Sequence, residues 1–293
     1  MLAILVLFAP FMGRIKGGPI TEDQAKAVAS HFVNAIYGSS PAASGAHASR
    51  EDIGTWAQYK IEFPTLKGLD IQVDAADGYV CSVYDYRVSD KRRKGLGRNQ
   101  HYRLSSAATA SKYIDGLAKK IGLPRGWSRT NSDYYRDHTP GRGDSDQCGR
   151  AFAGYCPKPE GYPFLNYGPK MMIEVDPLDG RLLNYFFVNH TQIGTVDIRV
   201  TPAQAIATAK RAVVLPNEHR RHVVTGKPKL GWAVPNAGFG SPLPDGTAKP
   251  PFKAFLGYEI RFNDYITGGR KLSESWVWVD AKTGKVLGGD GTK

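Results

Sequence analysis

Seven histidines and three cysteines are the side chains in this 293-residue sequence best suited to acid–base, nucleophilic or metal chemistry. The histidines are His31, His47, His101, His138, His190, His219 and His222, and no H-E-x-x-H pair occurs among them. His219 and His222 stand three apart beside Glu218, a spacing that puts both on one face of a helix, where two imidazoles could share a divalent ion. Arg220 and Arg221 lie between them and repel a cation, so this stretch is expected to be a solvated helix end or loop and no metal site is assigned. Cys81, Cys148 and Cys156 form no C-x-x-C pair, which removes zinc-ribbon and thioredoxin-like chemistry. Cys148 and Cys156 flank a short Gly-containing stretch and would suit a small disulfide loop in an exported chain, whereas Cys81 stands in an alternating apolar run and is expected to be a buried thiol. There is no G-x-S-x-G elbow, Walker loop or dinucleotide fingerprint, and Gly238-Phe239-Gly240-Ser241 is out of register for the elbow. The sequence therefore assigns no catalytic, metal-binding or cofactor-binding residue.

Charge is the next chemical signal. Lysine and arginine number 39 against 27 aspartates and glutamates, a formal charge of +12. The densest cluster is Lys91-Arg92-Arg93-Lys94 with Arg98, which could touch nucleic acid, lipid headgroups or an anionic wall polymer. Nucleic-acid binding wants aromatic platforms interleaved with the cations, and Tyr86 and Tyr102 alone do not supply them. A solvated basic linker, with weak contact to anionic envelope polymer or lipid and none to nucleic acid, is expected. Arg142-Gly143-Asp144-Ser145 spells an adhesion tripeptide but stands in a Gly-rich stretch that reads as a turn. If the chain were instead an enzyme, its site would form between units, around an insertion such as Tyr134-Tyr135-Arg136-Asp137-His138.

These residues must be positioned by a fold rich in turns, since 33 glycines and 19 prolines disfavour long helical bundles. Leu2 to Met12 is an apolar run too short to span a bilayer, and residues 1–19 are expected to be a signal peptide and linker. Beyond them a phrase recurs: Val73-Asp74-Ala75-Ala76-Asp77-Gly78, Val175-Asp176-Pro177-Leu178-Asp179-Gly180 and Val279-Asp280-Ala281-Lys282-Thr283-Gly284. A phrase of this kind should arise by chance only about 0.1 times in such a chain. Alternating apolar residues precede each copy and an apolar residue closes it, so each predicts a hairpin whose Asp bonds backbone amides and whose Gly takes a positive φ. A capped helix stands upstream of each, opening at Thr21, at Ser105 or Ser106, and at Thr201-Pro202. The units are placed at 20–100, 101–197 and 198–293, with a loop insertion over 128–163 and a Pro-rich loop over 235–251.

A helix opening T-x-x-[QE]-A and strands closing on V-D-x-x-[DT]-G-x-V resemble the PepSY domain. Thr201-Pro202-Ala203-Gln204-Ala205 and Trp278-Val279-Asp280-Ala281-Lys282-Thr283-Gly284-Lys285-Val286 carry the resemblance best, while the first two units have Asp77 and Asp179 where the family commonly has Thr. The resemblance implies an α+β, cystatin-like fold repeated as three helix-plus-antiparallel-sheet units. It also implies a non-enzymatic, secreted or envelope protein that binds a protein partner, such as a peptidase that it inhibits or regulates, with no cofactor. The alternatives are the enzyme just described and a basic structural envelope protein held to anionic polymer.

Overall fold

The computed structural model describes residues 19–38, 45–53, 56–87, 102–135, 149–214, 220–240, 252–266 and 269–291. The apolar run Leu2 to Met12, the basic cluster Lys91 to Arg98, the stretches Arg136 to His138 and Arg142 to Ser145, Cys148 with its expected bridge to Cys156, and His219 lie outside the described residues.

The protein is α+β, and its chain divides into two compact units, residues 1–155 with 170–188 and residues 156–169 with 189–293. The first unit begins with helix α1 (Glu22–Tyr37), which Thr21 opens with a reciprocal capping box: Gln24 N–H donates to Thr21 Oγ1 at 3.3 Å and Thr21 N–H to Gln24 Oε1 at 2.8 Å. Strands β1 (His47–Ile53), β2 (Trp56–Glu62), β3 (Leu69–Asp74) and β4 (Val80–Asp85) follow, then helix α2 (Ala107–Ile121) capped by Ser106, then β5 (Trp127–Tyr135), β6 (Arg150–Pro157), β7 (Lys170–Val175) and β8 (Leu182–Val188). All eight strands make one sheet in the order β1-β2-β3-β4-β8-β7-β6-β5. The first two sequence repeats thus share a sheet, joined where Ser82, Val83 and Tyr84 pair antiparallel with Phe186, Tyr185 and Asn184. Both helices cover the same core: Phe32 and Val33 of α1 and Ile114 and Leu117 of α2 are buried with Ile61, Ile71, Val83, Ile173, Tyr185 and Phe187.

The second unit carries helix α3 (Pro202–Val213), again with a Thr–Gln capping box and with Pro202 in the first turn, where its missing N–H costs nothing. A short strand β9 (Thr191–Ile193) pairs parallel with β11, and β10 (Arg221–Ala233), β11 (Phe252–Tyr265), β12 (Lys271–Asp280) and β13 (Val286–Gly291) lie in that order. Ala205, Ala209 and Val213 of α3 bury against Leu256, Tyr258, Ile260, Phe262, Val277 and Val279.

The three recurring turns are the same object. Asp74, Asp176 and Asp280 each accept from the amide two residues on, at 2.9, 2.8 and 2.8 Å, and Gly78, Gly180 and Gly284 take φ of 69°, 76° and 72°. Each hairpin has its register shift one step before the turn, so that Val73 faces Val80, Val175 faces Leu182 and Val279 faces Val286. The carbonyl after each aspartate then ties down the helix entry: Ala75 O accepts from Ile20 N–H, Pro177 O from Leu104 N–H and Ala281 O from Val200 N–H.

Two sequence expectations are corrected. The segment 128–163 is not a loop insertion, because it holds most of β5 and all of β6, whose Ala151, Ala153 and Tyr155 are core residues. Small residues gave it the composition of a loop, yet Gly154 lies within the strand, where the Asn131 side chain fills the space a Cβ would take. His222 is not on a solvated helix end or loop but on β10, with its side chain 7% exposed.

Candidate binding surface

A helix layer shields one face of each sheet, so partners can approach through the other face and the edges. In the second unit the edges are defended. Beside β13, Asn236 donates to Gly289 O at 2.9 Å and accepts from Gly289 N–H at 2.8 Å, acting as a short substitute strand. The C-terminal part of β10 is occupied by its own chain, Trp232 N–H bonding Pro163 O and Leu165 N–H bonding Trp232 O, both at 2.8 Å. Its N-terminal part breaks register between Thr225 and Lys229, where Gly226, Lys227 and Pro228 stand. Lysine, proline and a bulge are the usual means by which an edge refuses a further strand.

Among the described residues the edge at β1 lacks these devices. Seven consecutive residues, His47 to Ile53, pair with Glu62 to Trp56 without a register shift, and the strand contains neither proline nor lysine. Next to it the sheet opens into a groove of about 540 Å³ lined by His47, Lys60, Glu62, Phe63, Leu66, Asp70 and Tyr86, among others. Its origin is local: β2 ends at Glu62, the short helical turn Pro64–Leu66 follows, and Gly68 at φ 87° brings the chain back into β3. On β2 and β3, the core residues Ile61, Leu69 and Ile71 alternate with Lys60, Glu62, Asp70 and Gln72, which lie on the face away from α1.

The groove is chemically two-sided. Pro64 and Leu66 supply apolar surface, and Glu62 and Asp70 supply carboxylates. Lys60 Nζ lies 3.1 Å from Glu62 and leaves Asp70 with only a through-space attraction. Asp70 Oδ1 is buried and has no hydrogen-bond partner among the described residues. Burial pushes the Asp70 carboxyl above its usual value, reinforced by Glu51 and Glu62 and opposed by Lys60. Tyr84 and Tyr86 extend the site with rings stacked 6.2 Å apart and exposures of 39% and 54%. A side chain with an apolar stem and a hydrogen-bond-donating tip would match this lining.

The titratable residues met first in the sequence do not gather there, His47 excepted. His222 Nδ1 lies 2.8 Å from Asp264 Oδ1, and Asp264 also accepts from Ser273 Oγ at 2.9 Å and Ser275 Oγ at 3.2 Å. These serines donate to the carboxylate rather than face the imidazole as a nucleophile would, and Asp264 is buried, so the cluster ties β10, β11 and β12 together. Asp264 had no sequence signal, being one of two acids, with Glu259, on an otherwise ordinary strand. Cys81 is buried, and burial pushes its thiol up to about 12, which leaves it unreactive. Asp85, also missed, is clamped by Arg87 through two bonds of 2.8 Å and by Tyr37 Oη at 2.8 Å. Of the aromatic stretch Tyr134 to His138, Tyr134 donates to Leu104 O at 2.6 Å and Tyr135 lies under Arg150. Among the described residues no group of His, Cys, Asp and Glu could hold a metal ion, and no helix is long and apolar enough to cross a membrane.

Residues 199–290 match the PepSY family, the peptidase propeptide and YPEB domain. No curated protein sequence matches the chain. Among solved structures, the chain is similar to the YpeB C-terminal domain of Bacillus megaterium, at 14% identity and a TM-score of 0.45, over 94% of this chain and 100% of that one. It is also similar to an uncharacterized protein from Eubacterium rectale, at 13% identity and a TM-score of 0.45, over 91% and 82% of the two chains.

Proposed function

We propose that this chain is an exported, non-catalytic regulator of a peptidase, built from three PepSY-like repeats, that holds an extended segment of its partner along β1. The observation that carries the reading is the regular β1 edge, open among the described residues, beside a groove in which one carboxylate oxygen of Asp70 has no partner among those residues. An added strand gains backbone hydrogen bonds from β1, and its alternate side chains point to the groove side. Asp70 lies two strands further in, on β3, so the lysine or arginine that lays its stem on Leu66 and brings an N–H to Asp70 comes from a part of the partner segment that turns over the groove, not from the added strand itself. The PepSY match over 199–290 supports the regulatory part, since that domain is generally propeptide-like or regulatory. The third repeat then serves as a scaffold, consistent with its defended edges.

The test is peptidase inhibition with variants at the edge. Proline placed in turn at Ser49 and at Arg50 removes one outward amide in one of the two cases, because successive amides on an edge strand point to opposite sides. One of the two should lose inhibition while keeping the circular dichroism of the parent, and Asp70→Ala should weaken it. Turnover of a peptide, ester, phosphoester or glycan substrate by the chain itself, abolished by one side-chain substitution, would overturn the reading. Complexes formed by strand addition should also persist at about 0.15 M salt, where attraction between a basic surface and an anionic polymer is largely screened.

A further inference from the structure

Among the described residues the same sheet has a second exposed edge, at β5, and its sequence is complementary to itself. The strand reads Trp127-Ser128-Arg129-Thr130-Asn131-Ser132-Asp133-Tyr134-Tyr135, with residues 128 to 133 exposed and no proline or lysine. Two identical edge strands joined antiparallel are related by a two-fold axis perpendicular to the sheet. Such an axis keeps each side chain on its own face, so some residue must lie opposite its own copy. Centring on Arg129 sets arginine against arginine, and centring on Asp133 sets aspartate against aspartate. Centring on Thr130 or Ser132 leaves both charges without opposite partners. Centring on Asn131 alone sets Arg129 opposite Asp133 twice, Thr130 opposite Ser132 twice, Asn131 opposite Asn131, and Trp127 opposite Tyr135.

We propose that two copies of this chain pair through β5 in that register, making one sheet continuous across a dimer. The pairing stands independently of the peptidase reading, since it uses only the open edge and its charge pattern. Existing contacts do not oppose it strongly. Arg129 donates to Asp115 Oδ2 at 3.2 Å, but the side chains are 37% and 39% exposed, and such surface pairs contribute little. Asp133 accepts from Tyr134 N–H at 2.7 Å through Oδ1 and from the exposed Tyr135 hydroxyl, a neutral donor that an arginine set opposite can join or displace. The inner side of β5 is held firmly, with Thr130 Oγ1 donating to Gly154 O at 3.2 Å and Tyr155 Oη anchoring Asp115 at 2.7 Å. A dimer of this kind carries two β1 edges, one at each far end of the joined sheet.

Sedimentation velocity of the purified full chain over a range of concentrations reads the result directly. The parent should dimerise. Arg129→Asp and Asp133→Arg each turn two attractive cross-strand pairs into repulsive ones and should weaken association by about tenfold or more. The double variant Arg129→Asp with Asp133→Arg restores both pairs and should recover the dimer, which no effect on folding alone would do; circular dichroism checks each variant. A monomeric parent overturns the proposal. So does a dimer indifferent to the single swaps, or one that the double swap fails to rescue.

Discussion

The recurring aspartates act on their own backbone. Asp280 Oδ1 accepts from the amides of Lys282 and Thr283 at 2.8 and 2.6 Å, and removing the carboxylate strands both donors inside the turn. Asp280→Ala should lower stability by about 1–3 kcal/mol, whereas Asp280→Asn, which keeps an acceptor, should cost less; urea unfolding of the two variants measures the difference. Asp70 behaves in the opposite sense. Burial raises its carboxyl above the usual 3.8, so between that value and the raised one the folded chain holds more protons than the unfolded chain. This group's contribution to stability therefore falls as pH climbs through that window, and Asp70→Asn should remove that part of the pH dependence when urea midpoints are compared from acid to neutral pH. Asp74, Asp176 and Asp280 were legible in the sequence because one turn solved three times demands the same residue types at the same spacing. Asp70, Asp85 and Asp264 were not, because a polar residue on a strand shows no pattern until its neighbours across the sheet are known.

At the scale of elements, the helices announce themselves by their caps. Thr21-x-x-Gln24 and Thr201-x-x-Gln204 each close a capping box, and Thr201→Ala should cost about 1 kcal/mol, read as a lower thermal midpoint. The closing glycines differ in their surroundings. A Cβ on Gly180 would press to 3.0 Å on the Tyr113 ring, whose hydroxyl already bonds Gly180 O, whereas one on Gly284 meets only Val200 Cγ2 at 3.4 Å. Both sit at positive φ, so alanine is strained at either, but Gly180→Ala should destabilise more. The strands were harder to read than the helices. β6 passed for part of a loop because two of its three buried core residues, Ala151 and Ala153, are too small to mark an apolar alternation, and Tyr155 alone does not make one. The second repeat also departs at Pro177, which has no amide to give, where Ala75 and Ala281 donate to Ala57 O and Leu256 O.

For the molecule as a whole, the repeat was visible in the sequence but the pairing of repeats was not. Joining β4 to β8 depends on strands far apart in the chain, and nothing in either strand names the other. That union merges two repeats into one eight-stranded sheet with two edges, β1 proposed to take a partner and β5 a second copy. The third repeat, which carries the PepSY match, has its edges closed by Asn236, by residues 163–165 and by the bulge at β10. In the proposed function the chain restrains a peptidase through β1 and performs no catalysis itself. The direct measurement is to titrate the purified chain, with its Ser49→Pro and Arg50→Pro variants, into a panel of secreted peptidases and follow cleavage of a peptide substrate. Saturable inhibition of at least one peptidase by the parent is expected, lost in the variant whose proline takes an outward amide and leaves the circular dichroism unchanged; the other proline takes an amide that bonds β2 and is recognised by its lower thermal midpoint. Inhibition equal in all three proteins, or no inhibition of any peptidase, would contradict it.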